Sequence, residues 1–250
     1  IFGSLFQSIM DKDARRNLGA HYTSEANILK LIKPLFLDEL YAEFSKIKTN
    51  GRKLEEFHHK LRSLTFFDPA CGCGNFLVIA YRELRLLELE VLRASIKNGG
   101  QMALDVSSVI QVDVDQFYGI EIEEFPAQIA QVALWLIDHQ MNLEVSQEFG
   151  NYFARIPLTT SSTIIHGNAL QLDWAEVIAP EKLSYIIGNP PFIGKNYRNK
   201  QQDADLENVF TQTPNMPPLR LYKSLDFVTA WHYKATAFMQ HNPAIKTALV

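Results

Sequence analysis

Cysteine is almost missing from this chain: its 250 residues hold two, Cys71 and Cys73, with one glycine between them. That spacing is too tight for ordinary disulfide geometry, and two thiols are too few for a structural zinc site. The pair therefore reads as small apolar thiols in a reducing compartment. Histidine offers no metal site either, because His21, His58, His59 and His166 show no H-x-x-x-H or carboxylate-paired spacing. No apolar run approaches the roughly 20 residues that a spanning helix needs, and no cleavable leader opens the chain. A soluble protein of a reducing cytoplasm is the expectation. Basic charge is not in excess: the net charge is −4, a poor match to a complete protein that must neutralise phosphates. Internal repeats and low-complexity tracts are absent. An initiating methionine is missing too, and the last residues, Ile245 to Val250, read as a strand just starting, so a piece of a longer polypeptide is expected.

What is present suffices for a packed domain. At 47% apolar content the chain can bury a full core. Strands are expected near Leu64–Asp68, Phe117–Glu121, Thr163–His166, Leu183–Gly188 and Lys246–Val250. Helices are expected near Asn75–Leu92, Phe125–His139 and Leu225–Gln240, with an earlier one carrying Ile28, Leu31, Ile32 and Leu35 on one face behind Ser24 as its cap. Alternation of this kind is the βαβ rhythm of a parallel sheet. Two stretches break it, Lys97 to Asp115 and the polar, proline-bearing Lys195 to Pro218. The fold class is therefore α/β, a mostly parallel Rossmann-like sheet flanked by helices, with an N-terminal helical segment over residues 1–55 and an incomplete core over 56–250.

The most informative feature is Asn189-Pro190-Pro191-Phe192, fed directly by the apolar run Leu183 to Ile187. An amide and a proline carbonyl at a strand's carboxyl end are two acceptors, and an aromatic follows them. That set can grip a planar amino group by its hydrogens while stacking on its ring. Upstream, Leu64 to Phe67 lead into Asp68-Pro69-Ala70-Cys71-Gly72-Cys73-Gly74-Asn75-Phe76 and then a helix. In doubly wound folds such a turn lets backbone approach a cofactor closely, which nominates Asp68, Ala70, Gly72 and Gly74. The turn lacks the third glycine of a dinucleotide fingerprint, and Asp68 would repel a pyrophosphate. A cationic methyl donor suits that carboxylate better, and S-adenosylmethionine is the expected cofactor.

Other residues carry a functional and a plain reading side by side. Glu121 closes a strand where a carboxylate can accept both ribose hydroxyls, with Ile122 placed to pack on an adenine face; the alternative is a solvated charge beside Glu123 and Glu124. Asn168 can meet the adenine edge with Ala169 beside it, or simply make a turn after Gly167. Tyr22 and Thr23 can close over the methionine end of the cofactor, or Thr23 can cap a helix with Ser24. Phe76 either walls the pocket or packs beneath the sheet. Lys195, Arg198 and Lys200, with Tyr197 among them, are either phosphate contacts flanking a flipped base or a solvated loop face diluted by Asp203, Asp205 and Glu207. Asp226, with Phe227 and Trp231, lines a pocket or serves a helix amino end.

Taken together, the Asp68–Phe76 turn, the Asn189–Phe192 tetrapeptide, Gly19-Ala20-His21-Tyr22-Thr23-Ser24, Tyr118-Gly119-Ile120-Glu121-Ile122 and Gly167-Asn168-Ala169-Leu170 resemble the cofactor and catalytic motifs of the gamma class of DNA adenine methyltransferases. The likeness extends across the whole chain. Arg15-Arg16-Asn17-Leu18 and Asp115-Gln116-Phe117 are similar to the MmeI-like bifunctional restriction-modification enzymes within that class. The resemblance implies a class I S-adenosylmethionine-dependent fold, methylation of the N6 amino group of a flipped adenine in double-stranded DNA, and catalysis by Asn189, Pro190, Pro191 and Phe192. It also implies a recognition domain, with room for a nuclease, elsewhere on the same polypeptide. Where related enzymes carry an acidic residue, this chain has Asn168. Two other readings stand beside it: amino-methylation of RNA guanine or a protein glutamine by the same tetrapeptide, and a non-catalytic cofactor- or DNA-binding module.

Overall fold

The computed structural model describes residues 23–99, 110–149, 162–214 and 216–250. Among them, β1 (Phe66–Asp68), β2 (Phe117–Glu121), β3 (Thr163–His166), β4 (Tyr185–Gly188) and β5 (Lys246–Leu249) form one parallel sheet in the order β3-β2-β1-β4-β5. The central strands are built from aromatic and β-branched residues, which suit a pleated surface packed on both faces. Register aligns Phe66 with Phe117 on one side and Tyr185 on the other. Their rings stack across the three strands at centroid distances of 4.8 and 5.2 Å.

Helices cover both faces. Under the Phe66 row lie α1 (Glu25–Ile32), α2 (Asp38–Ile47), α3 (Gly51–Ser63), α4 (Asn75–Lys97) and α5 (Glu124–Phe149), all contributing to one core cluster. Over the other face, Phe67, Ile120 and Ile186 pack against α6 (Lys200–Gln212), α7 (Thr229–Met239) and the 3-10 turn at Trp174. A π-helical stretch, Lys33–Leu37, joins α1 to α2; Pro34 lacks the amide hydrogen that regular helix would use there. Within the first layer, Arg85 of α4 meets Asp138 of α5 at 3.0 Å, and Glu88 takes His58 of α3 at 2.7 Å. The buried Arg85–Asp138 pair is thus matched charge to charge, as burial demands. No helix among the described residues is long and apolar enough to cross a membrane.

Several expectations shift. β2 and β3 have the bounds read from sequence, whereas β1 and β4 each start two residues later, at Phe66 and Tyr185. Ser24 occupies the cap position of α1, but its side chain caps nothing; its carbonyl takes the amides of Asn27 and Ile28. The stretch read as a break at Lys195–Pro218 contains α6, thirteen residues opened by a reciprocal capping box between Asn199 and Gln202. Most of the other break, 97–115, lies outside the described residues. The division placed at residue 55 falls within α3.

Candidate active site

Chain order places the neighbours of β1 on opposite sides: the crossover through α4 leads to β2, while β4 lies on the other flank. Open α/β sheets bind ligands at such a switch point, outside the carboxyl ends of the strands. There this chain puts Asp68, ending β1, and Asn189, following β4.

Asp68 is only 1% exposed, and its Oδ1 accepts the Ala70 amide at 3.0 Å. Gly188, one residue before Asn189, is what makes room for it. A Cβ at Gly188 would lie 2.5 Å from that Oδ1, and its φ of +155° is one that side-chain-bearing residues rarely adopt. Burial pushes the Asp68 carboxyl up to about 8, with the Ala70 amide opposing and the Glu121 charge adding to the rise. The turn beyond is left-handed at Gly72 and Gly74, with φ of 54° and 80°. A Cβ on Gly74 would press on Ala130 of α5 at 3.0 Å, so the glycine lets the turn lie flat on that helix.

Glu121 is oriented by this turn. Its Oε2 accepts the Gly72 amide at 2.8 Å and its Oε1 the Glu123 amide at 3.0 Å. Burial raises its pKa while these amides oppose the rise. Each carboxylate oxygen keeps a further lone pair for a hydroxyl donor. Beside it Ile122 is 51% exposed, an apolar surface at the strand end open to a flat ring.

The catalytic candidates are held at both ends. Asn189 Nδ2 donates to Thr23 Oγ1 at 3.0 Å, a contact spanning 166 residues of sequence. After the tetrapeptide, the Ile193 amide donates to Asp226 Oδ1 at 3.0 Å, and the Ile193 carbonyl accepts the Phe227 amide at 3.1 Å. Pro190 and Pro191 fix their own φ between these anchors, and Phe192 stands 46% exposed. Tyr22 lies outside the described residues.

Other candidates prove to be internal. Phe76, 4% exposed, packs in the core beneath the sheet, the plainer of its two readings. Ala169 is buried against the second core cluster, its carbonyl taken by Trp174 Nε1 at 2.9 Å and Lys234 Nζ at 2.7 Å. Its carbonyl thereby supports the turn. Asn168 caps that turn through Oδ1 on the Leu170 amide at 2.9 Å, while its Nδ2 donates to Asp205 at 2.8 Å. Arg198 is the clearest correction. Its side chain is 2% exposed, spent on Asp203 and on the carbonyls of Leu225 and Lys223, so it is not available to a phosphate. Lys195 and Lys200 are exposed, and Tyr197 stands open between them.

Three further residues hold the crevice loops: Trp231, read from sequence with Asp226 as a candidate pocket lining, and Lys234 and Asp205, given no site role there. Trp231 Nε1 donates to the Pro69 carbonyl at 3.0 Å. Lys234 reaches the carbonyls of Ala169 and Leu172, each at 2.7 Å, and burial pushes its ammonium down to about 8. Buried Asp205 accepts from Asn168, Gln171 and Gln201. Only Gly188 left a local signal, a glycine closing an apolar strand. The others meet their partners across large sequence separations.

Residues 44–250 match the family model described as MmeI, DNA-methyltransferase domain. DNA methyltransferase A of Bacillus subtilis (strain 168) is 39% identical over 236 residues, which is 93% of this chain and 26% of that protein. A putative type II restriction enzyme and methyltransferase of Methanocaldococcus jannaschii is 30% identical over 101 residues, 40% of this chain and 8% of that one. A solved structure of the type IIL restriction-modification enzyme MmeI in complex with DNA is 63% identical, with a TM-score of 0.93, over 99% of this chain and 32% of that one. This chain thus spans 26% of the curated relative and 32% of the structural one.

Proposed function

The chain belongs to the family of MmeI DNA-methyltransferase domains, and we propose that it transfers the methyl group of S-adenosylmethionine to the N6 amino group of an adenine flipped out of double-stranded DNA. On this reading it is the modification domain of a longer restriction-modification polypeptide, with target recognition and any nuclease encoded outside these residues. The observation that carries the proposal is the Asn189 amide, which contacts Thr23 at the end of β4, one residue after the glycine that admits the buried Asp68 carboxyl.

The residues present fit the cofactor. A buried carboxyl, Asp68, suits a cationic ligand and disfavours a phosphate; Glu121, held by two amides, offers lone pairs to a ribose; exposed Ile122 offers a face to adenine. When bound, S-adenosylmethionine supplies a methyl group already activated by its sulfonium. The work left to the chain is alignment and electrostatics. An aromatic amine is a poor nucleophile because its lone pair is delocalised into the ring. Asn189 Oδ1 and the Pro190 carbonyl would each accept one amino hydrogen, drawing nitrogen toward tetrahedral geometry and stabilising the charge that develops on it. Phe192 presents an exposed ring for the extruded base to stack on.

The test is to incubate the complete polypeptide with labelled cofactor and duplex DNA and analyse the nucleosides by mass spectrometry. Labelled N6-methyladenine is the expected product. Label on cytosine, or none on DNA, would overturn the proposal.

A further inference from the structure

We infer that Trp231 is a positioning residue for the cofactor, its indole N–H fixing the Pro69–Ala70 peptide so that the Ala70 amide stays aimed at the Asp68 carboxyl. The inference rests on the cofactor role of Asp68 proposed above.

A peptide unit is planar, and in its trans form the carbonyl and the N–H point in opposite directions. Whatever holds one end therefore orients the other. The unit between Pro69 and Ala70 is trans and is held at both ends. Its carbonyl accepts Trp231 Nε1 at 3.0 Å, and its N–H donates to Asp68 Oδ1 at 3.0 Å. Half a turn of this unit would exchange the two groups and set a carbonyl oxygen against the carboxyl. An amide donor there stabilises the ionised carboxylate, whereas a carbonyl opposes it. Removing the indole donor takes a hydrogen bond from the carbonyl of buried Pro69 and so loosens the hold on this orientation.

Trp231 is itself firmly set. It lies in the first turn of α7 and is 5% exposed. Its ring meets Phe227 edge-on at a centroid distance of 5.2 Å, and the Phe227 amide is fastened to the Ile193 carbonyl at 3.1 Å. Both rings belong to the core on the Phe67 and Ile186 face of the sheet. The donor thus reaches the turn after β1 from a different element, across 162 residues of sequence. Trp231 has no need to touch the cofactor; it acts through the peptide on Asp68. The other titratable groups facing Asp68 are Glu121, at the end of β2, and the Cys71 thiol within the same turn. Glu121 takes its own two amides, from Gly72 and Glu123.

The test titrates the complete polypeptide with S-adenosylmethionine by calorimetry at several pH values. Wild type is compared with Trp231→Phe and with a form carrying benzothienylalanine in place of Trp231. Benzothienylalanine keeps the tryptophan shape and puts sulfur where the N–H was, which separates the donor from the packing. With the Ala70 amide less well aimed, the Asp68 carboxyl ionises at higher pH, and the rise of affinity with pH is expected to move up by about one pH unit. Both altered forms should therefore bind about 10-fold more weakly than wild type at about pH 7, and within about twofold of it at about pH 9.5. The cofactor's own ammonium titrates alike in every form and cancels from that ratio. A deficit equal at every pH would reduce Trp231 to a packing residue, and unchanged affinity would remove it from the site; either overturns the inference. It fails as well if Trp231→Phe is impaired and the benzothienylalanine form is not, because the donor then plays no part. Asp68→Asn separates the two levels. If that variant keeps wild-type affinity at every pH, the cofactor role of Asp68 itself fails; if it binds weakly while both Trp231 forms behave as wild type, only the positioning role is lost.

Discussion

Asp68 sets how the crevice responds to pH. Its carboxyl, ordinarily at 3.8, is pushed to about 8 in the fold, so between those values the folded protein keeps a proton that the unfolded chain has released. Stability from this group is therefore full below about pH 4 and is lost as pH climbs through about 8. Binding of a cationic ligand beside Asp68 draws the other way, because it favours the ionised form. S-adenosylmethionine affinity is accordingly expected to rise with pH toward about 8 and to release a proton on binding, seen as an enthalpy that varies with the ionisation heat of the buffer. Asp68→Asn should abolish that variation; a buffer-independent enthalpy in the wild type would remove Asp68 from the cofactor site. Asn189 belongs to the other half of the chemistry. Asn189→Ala is expected to cost roughly 100-fold or more in rate while leaving cofactor affinity nearly intact, and calorimetry beside single-turnover kinetics distinguishes the two quantities. Gly188 links the two halves: Gly188→Ala would drive a Cβ to 2.5 Å from Asp68 Oδ1. Its expected cost is about 1–3 kcal/mol of stability, as for overpacking elsewhere, with weakened cofactor binding, both measurable by denaturation with and without ligand.

At the scale of elements, α7 and the turn before it fasten three loops of the crevice at once. Trp231 takes the loop after β1 through Pro69, Lys234 the loop after β3 through Ala169 and Leu172, and Asp226 the loop after β4 through Ile193. On the same face α6 adds Asp205, which joins Asn168 and Gln171. Asp205→Ala is expected to destabilise the protein by about 1–3 kcal/mol, because the amides it satisfied lose their acceptor in a largely buried place. Thermal unfolding reads the stability, and loss of cofactor affinity beyond the stability effect would show that the turn at Asn168 is part of the binding surface. The strands β2 and β3 were legible because their β-branched and aromatic runs are long enough to force the assignment without help from context. α6 was not, because few of its thirteen residues are buried, among them Leu206, Val209 and Phe210, and polar side chains dominate the rest. Its signal was the Asn199–Gln202 capping box, and it was present in the sequence. Site residues followed the same division. Asp68, Glu121 and Asn189 sit at strand ends where local pattern points to them, whereas Arg198 read as a surface cation because nothing local reveals the Lys223 and Leu225 carbonyls that consume it.

For the whole molecule, charge bears on the proposed contact with DNA. A net charge of −4 gives no general attraction to phosphate, so the proposed DNA binding would draw on local cations or on other parts of the proposed longer polypeptide; this chain spans 26% and 32% of the matched relatives. Near the tetrapeptide the open cations are Lys195 and Lys200, since Arg198 is buried in ion pairing and carbonyl contacts. Each phosphate neutralised contributes a slope of about −0.9 to the dependence of log K on log salt. In the complete polypeptide, Lys195→Ala and Lys200→Ala are each expected to flatten that slope by about 1 and to weaken binding alike on all sequences. Arg198→Ala is expected to leave the slope unchanged while lowering the melting temperature, because it removes the tie between the segment after β4 and the turn before α7. Residues 1–250 alone should bind duplexes weakly, with strong salt sensitivity and no preference among sequences, as phosphate contacts position a protein and only base-edge contacts specify it. A titration of that chain against many duplexes at near-physiological salt tests this directly. Tight, sequence-dependent binding would place recognition within these residues, with the exposed segment around Lys195, Tyr197 and Lys200 as the first place to look.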